Sequence, residues 1–424
     1  MPRTLAANVL EDIFSRKQPF EKAFSDRTSC TELNPRDRAF AYQLISTSLR
    51  RLGQIDDLID RCLKKPLPKR AAGAKTVLRL GTAQLLFLNV PPYAAVDTSV
   101  ELAQGRQQGP YKKMINAVLR RLSQEGAEIV KLQERAKLNT PDWLWRSWST
   151  AYGLEVCQGI AEAHLYQPPL DLTPKEDPAG WAKRLSGQVL PFGSIRLADH
   201  VKISSLAGFQ EGAWWVQDVA SSLPVKLLGK IDGEEVADLC AAPGGKTAQL
   251  VAGGAKVVAI DRSAQRINTL EQNLERLGLK AKTIVTDAIK WRPDKPLDAV
   301  LIDAPCIATG TIRRHPDVQW LKSPENIIGT NAIQRALLAS ATEIVKRGGK
   351  VMFVTCSIQP EEGPDIVDTF LDSGAPFFRK RIIPEEVGGN ANLLTVKGDL
   401  RTLPCHMSEL GGMDGFYAAR LVRT

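Results

Sequence analysis

The segment Asp238-Leu-Cys-Ala-Ala-Pro-Gly-Gly-Lys-Thr247 decides the fold of the C-terminal half of this chain. It overlaps the end of a predicted strand over 235–240, and it leads into a helix from about Lys246. Glycines permit the positive φ and the close approach of a ligand to the backbone that such a turn requires. The segment therefore predicts a nucleotide or nucleoside site at a strand-to-helix turn.

Outward from this turn, the sequence alternates between strand and helix patterns, which predicts parallel βαβ units. Further strands are predicted over 256–260, 282–286, 298–302 and 349–355, with helices over 264–277 and 323–346. An acid or a thiol follows each of these four strands: Asp261, Asp287, Asp303 and Cys356. Because ligands of doubly wound sheets lie at the carboxyl ends of the strands, we expect these side chains to converge on one crevice.

The N-terminal third has a different pattern, because apolar residues recur there at helical spacing without strand-like alternation. Residues 36–63 are one such stretch, with Asn34-Pro35 as a candidate cap and first turn. Residues 1–125 hold 21 Lys and Arg against 12 Asp and Glu, whereas residues 126–424 hold 35 of each. The whole excess of +9 thus lies in a predicted all-α segment. It indicates either a module that binds a polyanion or a solvated helical surface.

Between these two parts lies a segment of mixed texture. Trp143, Trp145 and Trp148 recur at a spacing that favours packing of one helix onto its neighbour, with base stacking as the alternative. A strand at 171–173, a helix at 181–185 and strands near 194–197 predict a small α+β module. The predicted domains are therefore all-α over 1–130, α+β over 140–215 and Rossmann-like α/β over 216–424.

Length and composition set the class of protein. The 424 residues, 43% hydrophobic and 24% charged, are typical of a globular protein of two to four domains. No apolar stretch reaches the length of a membrane span, and the N-terminus lacks the pattern of a secretory signal. The seven cysteines form no CxxC pair and the four histidines do not cluster. We therefore expect a cytoplasmic enzyme without a metal site, a disulfide framework or an evident obligate protein partner.

Two cofactors compete for the glycine-rich turn. Gly245, Lys246 and Thr247 match the end of a P-loop, but Cys240 occupies the position of its leading glycine. S-adenosyl-L-methionine is the alternative, since its ribose hydroxyls need an acidic acceptor at the end of the second strand, where Asp261 stands. Asp287 could accept from the adenine amino group. Each aspartate could also be an ordinary turn residue, but the pair behind a glycine-rich turn favours S-adenosyl-L-methionine.

Two cysteines, Cys306 and Cys356, each follow an apolar strand, and Asp303 lies three residues before the first. A single cysteine in such a place is more often a small buried hydrophobe, as we expect for Cys240. Methylation of a pyrimidine at C5, however, needs a thiolate that adds to C6, a base that removes the C5 proton and an acid near N3. Two thiols and Asp303 would meet these needs, although the residues alone leave the roles of the two thiols exchangeable.

Three motifs, in this order and spacing, resemble those of the RNA cytosine-5 methyltransferase family (the NOL1/NOP2/Sun group). They are DLCAAPGGKT (238–247), DAPC..TG (303–310) and TCS....E (355–362). QDVASSLP (217–224) and RRHPDVQW (313–320) also match. The basic N-terminal segment, which ends in MINAVLRRL (114–122), resembles a NusB-like RNA-binding domain. The resemblance covers nearly the whole chain, and the combination implies 16S ribosomal RNA, unassembled or in early assembly, as the partner.

By this resemblance Cys356 is the nucleophile, Cys306 releases the product and Asp303 contacts the cytosine. The resemblance also implies an S-adenosyl-L-methionine pocket, lined by Cys240, Ala241, Ala242, Pro243, Gly244, Gly245, Lys246, Asp261, Asp287 and Asp303. The central module would contact RNA. Since the related DNA enzymes use the Pro-Cys cysteine as nucleophile, the exchanged assignment of the thiols stays open.

Two features depart from the family pattern. Ile307-Ala308 replaces the usual Ser-Gly after the first cysteine, and Gly363 replaces the usual Asn after the second cysteine motif. Arg313, Arg314 and His315 could hold backbone phosphates or could form a surface turn. The alternatives to a 16S ribosomal RNA enzyme are the same chemistry on transfer RNA, and a non-catalytic RNA-binding protein with a vestigial methyltransferase fold.

Overall fold

The computed structural model describes residues 2–30, 33–106, 108–198 and 202–424, and the chain forms two compact units. The first comprises the described residues up to Tyr166 together with Ile312–Ser323, and the second comprises the rest. The division into domains at 1–130, 140–215 and 216–424 stays a prediction. In the described part of the chain, no helix has both the length and the apolar character needed to cross a membrane.

The N-terminal part of the first unit is all helical in the part that the structure describes, as predicted. Asn34 caps the helix Pro35–Arg50, because its side chain accepts a hydrogen bond from Asp37 N at 2.8 Å, and Pro35 takes the first turn. The stretch predicted as helical over 36–63 is two helices, separated at Arg51. The helices are α1 (Pro2–Arg16), α2 (Phe20–Ser29), α3 (Pro35–Arg50), α4 (Leu52–Cys62), α5 (Ala72–Leu86), α6 (Pro92–Gly105), α7 (Lys112–Leu132), α8 (Arg135–Leu138), α9 (Asp142–Tyr152) and α10 (Leu154–His164).

Trp148 of α9 packs against α10. Trp148 is completely buried, and its ring centroid lies 5.5 Å from that of His164, edge to face. Burial lowers the pKa of His164 to about 3, so the imidazole is neutral. Trp145 accepts a hydrogen bond at its carbonyl oxygen from the Cys157 thiol. Helix packing, rather than base stacking, is therefore the role of Trp148.

A small antiparallel sheet begins the second unit. Its strands are β1 (Leu170–Pro174), β2 (Gln188–Val189), β3 (Ile195–Leu197) and β4 (Trp214–Val216), in the order β2-β3-β1-β4, with α11 (Pro178–Arg184) between β1 and β2. Asp171 and Arg196 form a bidentate ion pair across β1 and β3 at 2.7 Å, and both are buried. Asp171 also accepts from Val219 N at 3.1 Å. These strands agree with the predicted α+β texture of the segment.

The larger sheet has the predicted parallel core. Its strands are β5 (Glu235–Leu239), β6 (Lys256–Asp261), β7 (Lys282–Val285), β8 (Leu297–Asp303), β9 (Val345–Thr355), β10 (Phe377–Arg379), β11 (Leu400–Thr402) and β12 (Phe416–Arg423). The remaining helices are α12 (Val219–Leu227), α13 (Gly245–Ala252), α14 (Ala264–Arg276), α15 (Val318–Leu321), α16 (Pro324–Ile344) and α17 (Pro364–Asp372). The strand order is β10-β12-β9-β8-β5-β6-β7, with β11 on β12, and β5 to β9 are parallel.

The C-terminal strands add an antiparallel edge that the sequence patterns did not predict. β12 pairs antiparallel with β9, β10 and β11. Within the parallel part of the sheet, β6 and β7 lie on one side of β5, and β8 and β9 lie on the other. This reversal makes the carboxyl end of β5 the switch point at which such sheets bind ligands.

Ile312–Ser323 follows the loop after β8 but belongs to the helical first unit. The Asp317 carboxylate accepts from Phe20 N at 2.9 Å at the start of α2, and Trp320 donates its indole N–H to Leu49 O at 2.9 Å. Arg313 and Asp317 are only 2% and 3% exposed. This segment, the docked segment below, therefore completes the packing of the helical unit.

Candidate active site

The glycine-rich turn follows β5 and ends where α13 begins at Gly245. Cys240 and Gly244 both have positive φ, +63° and +101°. A Cβ on Gly244 would lie 2.8 Å from Leu270 Cγ, so this position requires glycine. A Cβ on Gly245 would find its nearest neighbour, Gln217 Nε2, 4.0 Å away. The backbone at the N-terminus of α13 thus faces open space that a ligand could fill.

Ala241, Ala242 and Pro243 complete this turn, and both alanines are buried. Ala241 N donates to Ile260 O of β6 at 3.0 Å, and Gly244 N donates to Ala241 O at 2.9 Å. The turn is therefore held by backbone hydrogen bonds both to the neighbouring strand and within itself. Burial raises the pKa of the Cys240 thiol to about 12, so Cys240 is a neutral lining residue.

The aspartates predicted to bind the cofactor differ in exposure. Asp261 ends β6, is 2% exposed and accepts from Ser263 N at 3.0 Å. Arg266 lies 3.1 Å from its carboxylate. Asp287 lies beyond β7, is exposed and accepts from Ile289 N at 3.0 Å. The two residues therefore stand at the carboxyl ends of neighbouring strands, as the predicted sheet required.

Lys246 has a second role besides lining the turn. Its Nζ lies 2.8 Å from Asp303 Oδ2 and 5.2 Å from the centroid of the Phe416 ring. Burial works to lower the pKa of Lys246, but the charge of Asp303 and its hydrogen bond outweigh burial, and the pKa is raised. The buried ammonium group therefore stays charged beside Asp303. The sequence predicts Lys246 only as a residue of the cofactor pocket, and the ion pair with Asp303 adds a second role.

The structure brings Cys306 and Cys356 together. Their sulfurs are 3.4 Å apart, at the ends of the paired parallel strands β8 and β9. Both side chains are partly exposed. The hydrogen bond with Cys356, burial and the charges of Cys356 and Glu362 together raise the pKa of Cys306 well above the ordinary thiol value. The two thiols therefore form a hydrogen-bonded pair at the carboxyl edge of the sheet.

Glycine 310 allows the loops of the two cysteines to approach closely. Gly310 N donates to Cys356 O at 2.9 Å, and Gly310 O accepts from Gly415 N at 2.8 Å. A Cβ on Gly310 would lie 1.9 Å from Gly415 O, which leaves no room for any side chain. The glycine of the DAPC..TG motif is therefore explained by a contact between distant backbone segments.

The two departures from the family pattern have local consequences. Ala308, in place of glycine, adopts a positive φ of +60°, a conformation that costs an L-residue about 1–2 kcal/mol. A Cβ on Gly363 would lie 2.8 Å from Tyr417 Cγ and 3.0 Å from an Arg401 guanidinium nitrogen. The glycine at 363 therefore matches the close packing of Tyr417 and Arg401 against this loop.

Glu362 is a site residue to which the sequence analysis gave no role. It is completely buried, and its two carboxylate oxygens lie 3.1 Å and 3.2 Å from Ile307 N. Thr330 and Gln334 of α16 also donate to it. Its position at the end of the TCS....E motif was the available signal.

Asp238 is buried in β5 beneath the turn. Thr247 Oγ1 donates to its Oδ2 at 2.6 Å, and burial raises the pKa of Asp238 to about 7. Asp238 therefore connects β5 to Thr247, the last residue of the glycine-rich segment, by a buried hydrogen bond.

Of the residues that could hold backbone phosphates, Arg313 is only 2% exposed and belongs to the docked segment, whereas Arg314 is partly exposed and His315 is exposed, so a phosphate contact stays a prediction for the latter two. Among residues 2–30, 33–106, 108–198 and 202–424, no cluster of three or more His, Cys, Asp or Glu side chains is placed to hold a metal ion.

The fold and this site define a class: a Rossmann-like methyltransferase joined to a NusB-type helical domain. Residues 225–422 match the family 16S rRNA methyltransferase RsmB/F, and residues 1–124 match the NusB family. The ribosomal RNA small subunit methyltransferase B of Cronobacter sakazakii is 33% identical over 386 residues, which cover 87% of this chain and 89% of that protein. The chain belongs to the RsmB/F family of methyltransferases, and the predicted resemblance and fold class are confirmed.

Solved structures agree on the fold. The protein PH0851 superposes with a TM-score of 0.77 at 23% identity, over 100% of this chain and 99% of its own. A methyltransferase homologue from Pyrococcus horikoshii superposes with a TM-score of 0.55 at 25% identity, over 66% of this chain and 94% of its own.

S-adenosyl-L-methionine, rather than a nucleoside triphosphate, is the cofactor of this methyltransferase family and of this chain. The open space before Gly245 and the carboxylate of Asp261 fit such a nucleoside.

Proposed function

We propose that the chain transfers a methyl group from S-adenosyl-L-methionine to C5 of a specific cytosine in 16S ribosomal RNA, through a covalent bond between Cys356 and C6. The observation that carries this proposal is the 3.4 Å separation of the two sulfurs beside the Lys246–Asp303 ion pair. Cytosine C5 becomes nucleophilic only after attack at C6, so this reaction needs a thiol. Methylation of an amine or a hydroxyl would have no use for two thiols.

Cys356, Asp303 and Lys246 have different roles in the proposed reaction. The Cys356 thiolate forms a bond to C6, which moves an electron pair toward C5 and N3. Asp303 contacts N3 and passes to it a proton from the Lys246 ammonium, which lies 2.8 Å away, so the negative charge that develops at N3 is neutralised and the proton returns when the product forms. S-adenosyl-L-methionine, when bound, supplies the methyl group as an electrophile for C5.

Release needs a base for the C5 proton. Once Cys356 is bonded to carbon, its hydrogen bond and its charge no longer raise the pKa of Cys306, so Cys306 loses its proton to solvent more readily than in the free enzyme. The Cys306 thiolate then takes the C5 proton, the electron pair restores the C5–C6 double bond, and the Cys356 sulfur leaves as a thiolate.

For the cofactor, we propose that the turn Cys240–Lys246 surrounds the nucleoside, with Asp303 at the methyl-donor side. Asp261 would accept from the ribose hydroxyls and Asp287 from the adenine amino group. These contacts are supported by the positions of both aspartates at strand ends next to the turn. The basic helical unit would dock the RNA, the small α+β module would contact it, and the target base would leave its stack to reach the thiols.

Single substitutions test the covalent route. With labelled S-adenosyl-L-methionine and precursor 16S ribosomal RNA, Cys306→Ala should trap an RNA adduct and Cys356→Ala should form none. Cys30→Ala, at an exposed thiol, is the control and should behave as the unaltered protein. The reverse trapping pattern would exchange the two roles. Normal methyl transfer by Cys356→Ala would refute the covalent mechanism.

Substrate choice needs its own assay. The relative from Cronobacter sakazakii is named for the small ribosomal subunit, which supports 16S ribosomal RNA over transfer RNA. We expect transfer of label to naked 16S ribosomal RNA and none to transfer RNA. Labelled transfer RNA would favour the alternative substrate, and RNA binding without any transfer would favour a non-catalytic protein.

A further inference from the structure

We propose that Glu362 is a positioning residue that fixes the Cys306 loop and, by its charge, assigns the role of nucleophile to Cys356 and the role of proton carrier to Cys306. The inference rests on the proposed function and deepens it, because it explains why two adjacent thiols have different roles. It assigns a task to a buried carboxylate that the chemistry at C5 does not itself require.

Hydrogen bonds tie Glu362 and Gln334 to the backbone on both sides of Cys306. Both oxygens of Glu362 accept from Ile307 N, the residue after Cys306, at 3.1 Å and 3.2 Å. Gln334 Nε2 donates to Glu362 at 3.2 Å and to Pro305 O, the residue before Cys306, at 2.9 Å. The backbone on both sides of Cys306 is therefore tied to one carboxylate and one amide.

Burial of the Glu362 carboxylate costs free energy. Glu362 and Gln334 are both completely buried. A carboxylate without water is expensive unless donors surround it, and the backbone N–H of Ile307, the amide of Gln334 and the hydroxyl of Thr330 are uncharged donors. An amide would accept the same hydrogen bond from Ile307 without that cost. The carboxylate therefore implies a use for its charge.

Charge is distributed unevenly around the two sulfurs. Glu362 is one of the groups whose negative charge raises the pKa of Cys306. On the other side, the buried ammonium of Lys246 interacts with Cys356, whose charge helps to raise the pKa of Lys246. An anion thus stands by Cys306 and a cation by Cys356. This asymmetry holds the proton on Cys306 and leaves Cys356, beside the cation, as the sulfur that attacks.

The test measures thiol ionisation directly, without RNA. Unaltered protein and Glu362→Gln are alkylated with iodoacetamide across a pH series, and Cys306 and Cys356 are quantified separately by peptide mass spectrometry. We expect Cys356 to react at lower pH than Cys306 in the unaltered protein. In Glu362→Gln the Cys306 profile should move to lower pH by about one unit, because the amide keeps the hydrogen bond but removes the charge.

Three further variants sharpen the result. Glu361→Gln changes the exposed neighbouring carboxylate and should leave both profiles unchanged. Glu362→Asp retains the charge and should retain the Cys306 profile. Glu362→Gln in a Cys356→Ala background should still shift Cys306, which separates the effect of Glu362 from that of the partner thiol.

Methyl transfer supplies the functional readout. For Glu362→Gln we expect kcat to fall about tenfold with the RNA KM unchanged, since the change affects the thiols rather than docking. A folded Glu362→Gln protein whose Cys306 profile coincides with that of the unaltered protein would overturn the inference. If instead the profile shifts but no variant methylates RNA, the role of Glu362 in thiol ionisation stands and the proposed function fails.

Discussion

Lys246 Nζ lies 2.8 Å from Asp303 Oδ2, so an ion pair joins the end of the glycine-rich turn to the last residue of β8. The same ammonium group lies 5.2 Å from the Phe416 ring of β12. The first turn of α13, the end of β8 and the start of β12 therefore meet at this one cation. The pair links the cofactor turn to the loop that carries Cys306.

Removal of this cation should impair chemistry more than folding. We expect Lys246→Met to lower the rate of methyl transfer about 100-fold, because Asp303 loses its partner at the position of N3. Asp303→Asn should have a similar effect, and the double variant should be little worse than either, since the two residues act as a unit. Single-turnover rates measure this. The exposed Lys256→Met is the control, and additive losses would contradict the coupling.

A side chain at position 310 should separate the two cysteine loops. Gly310→Ala places a Cβ 1.9 Å from Gly415 O, so we expect a loss of stability of about 1–3 kcal/mol and a reduced yield of RNA adduct. Chemical denaturation and adduct gels measure the two effects. The matched control is Gly329→Ala in α16, where no atom lies within 4 Å of the new Cβ, and this change should stabilise the helix by up to about 1 kcal/mol. Equal behaviour of both variants would contradict the close contact.

The buried Asp238 should make stability depend on pH. Its pKa is about 7 in the folded protein and 3.8 when unperturbed, so its contribution is greatest below pH 4 and declines as the pH rises toward 7. The slope is about 1.4 kcal/mol per pH unit within this window. Asp238→Asn should remove this component from urea-unfolding midpoints measured between pH 4.5 and 7. The exposed Asp294→Asn should leave the slope intact, and a slope unchanged in Asp238→Asn would refute the assignment.

The docked segment should stabilise the helical unit. Asp317→Ala would leave Phe20 N, at the start of α2, without its buried acceptor, so we expect a loss of about 1–3 kcal/mol. Limited proteolysis within α2 and thermal unfolding report this change. Asp60→Ala, at an exposed position on α4, is the comparison variant. Equal protease resistance of the two variants would show that the contact contributes nothing.

The sequence by itself determined the features that depend on neighbouring residues. The alternation of strand and helix, the Asn34 cap, the glycine-rich turn and the placement of acids and thiols at strand ends all follow from local periodicity and turn chemistry. Because parallel strands end at one edge of a sheet, local patterns also predicted that the turn and the cysteines would be close.

Only the tertiary structure decided the contacts between distant residues. Glu362 reaches Ile307 across 55 positions, and Asp317 reaches Phe20 across 297. A sequence pattern records the type of each residue and its spacing, but the partner of a buried polar group depends on which backbone segments pack together. For this reason the sequence motif contains Glu362 but does not reveal its partners. Its hydrogen bonds and its charged surroundings result from the packing of α16 against the two cysteine loops.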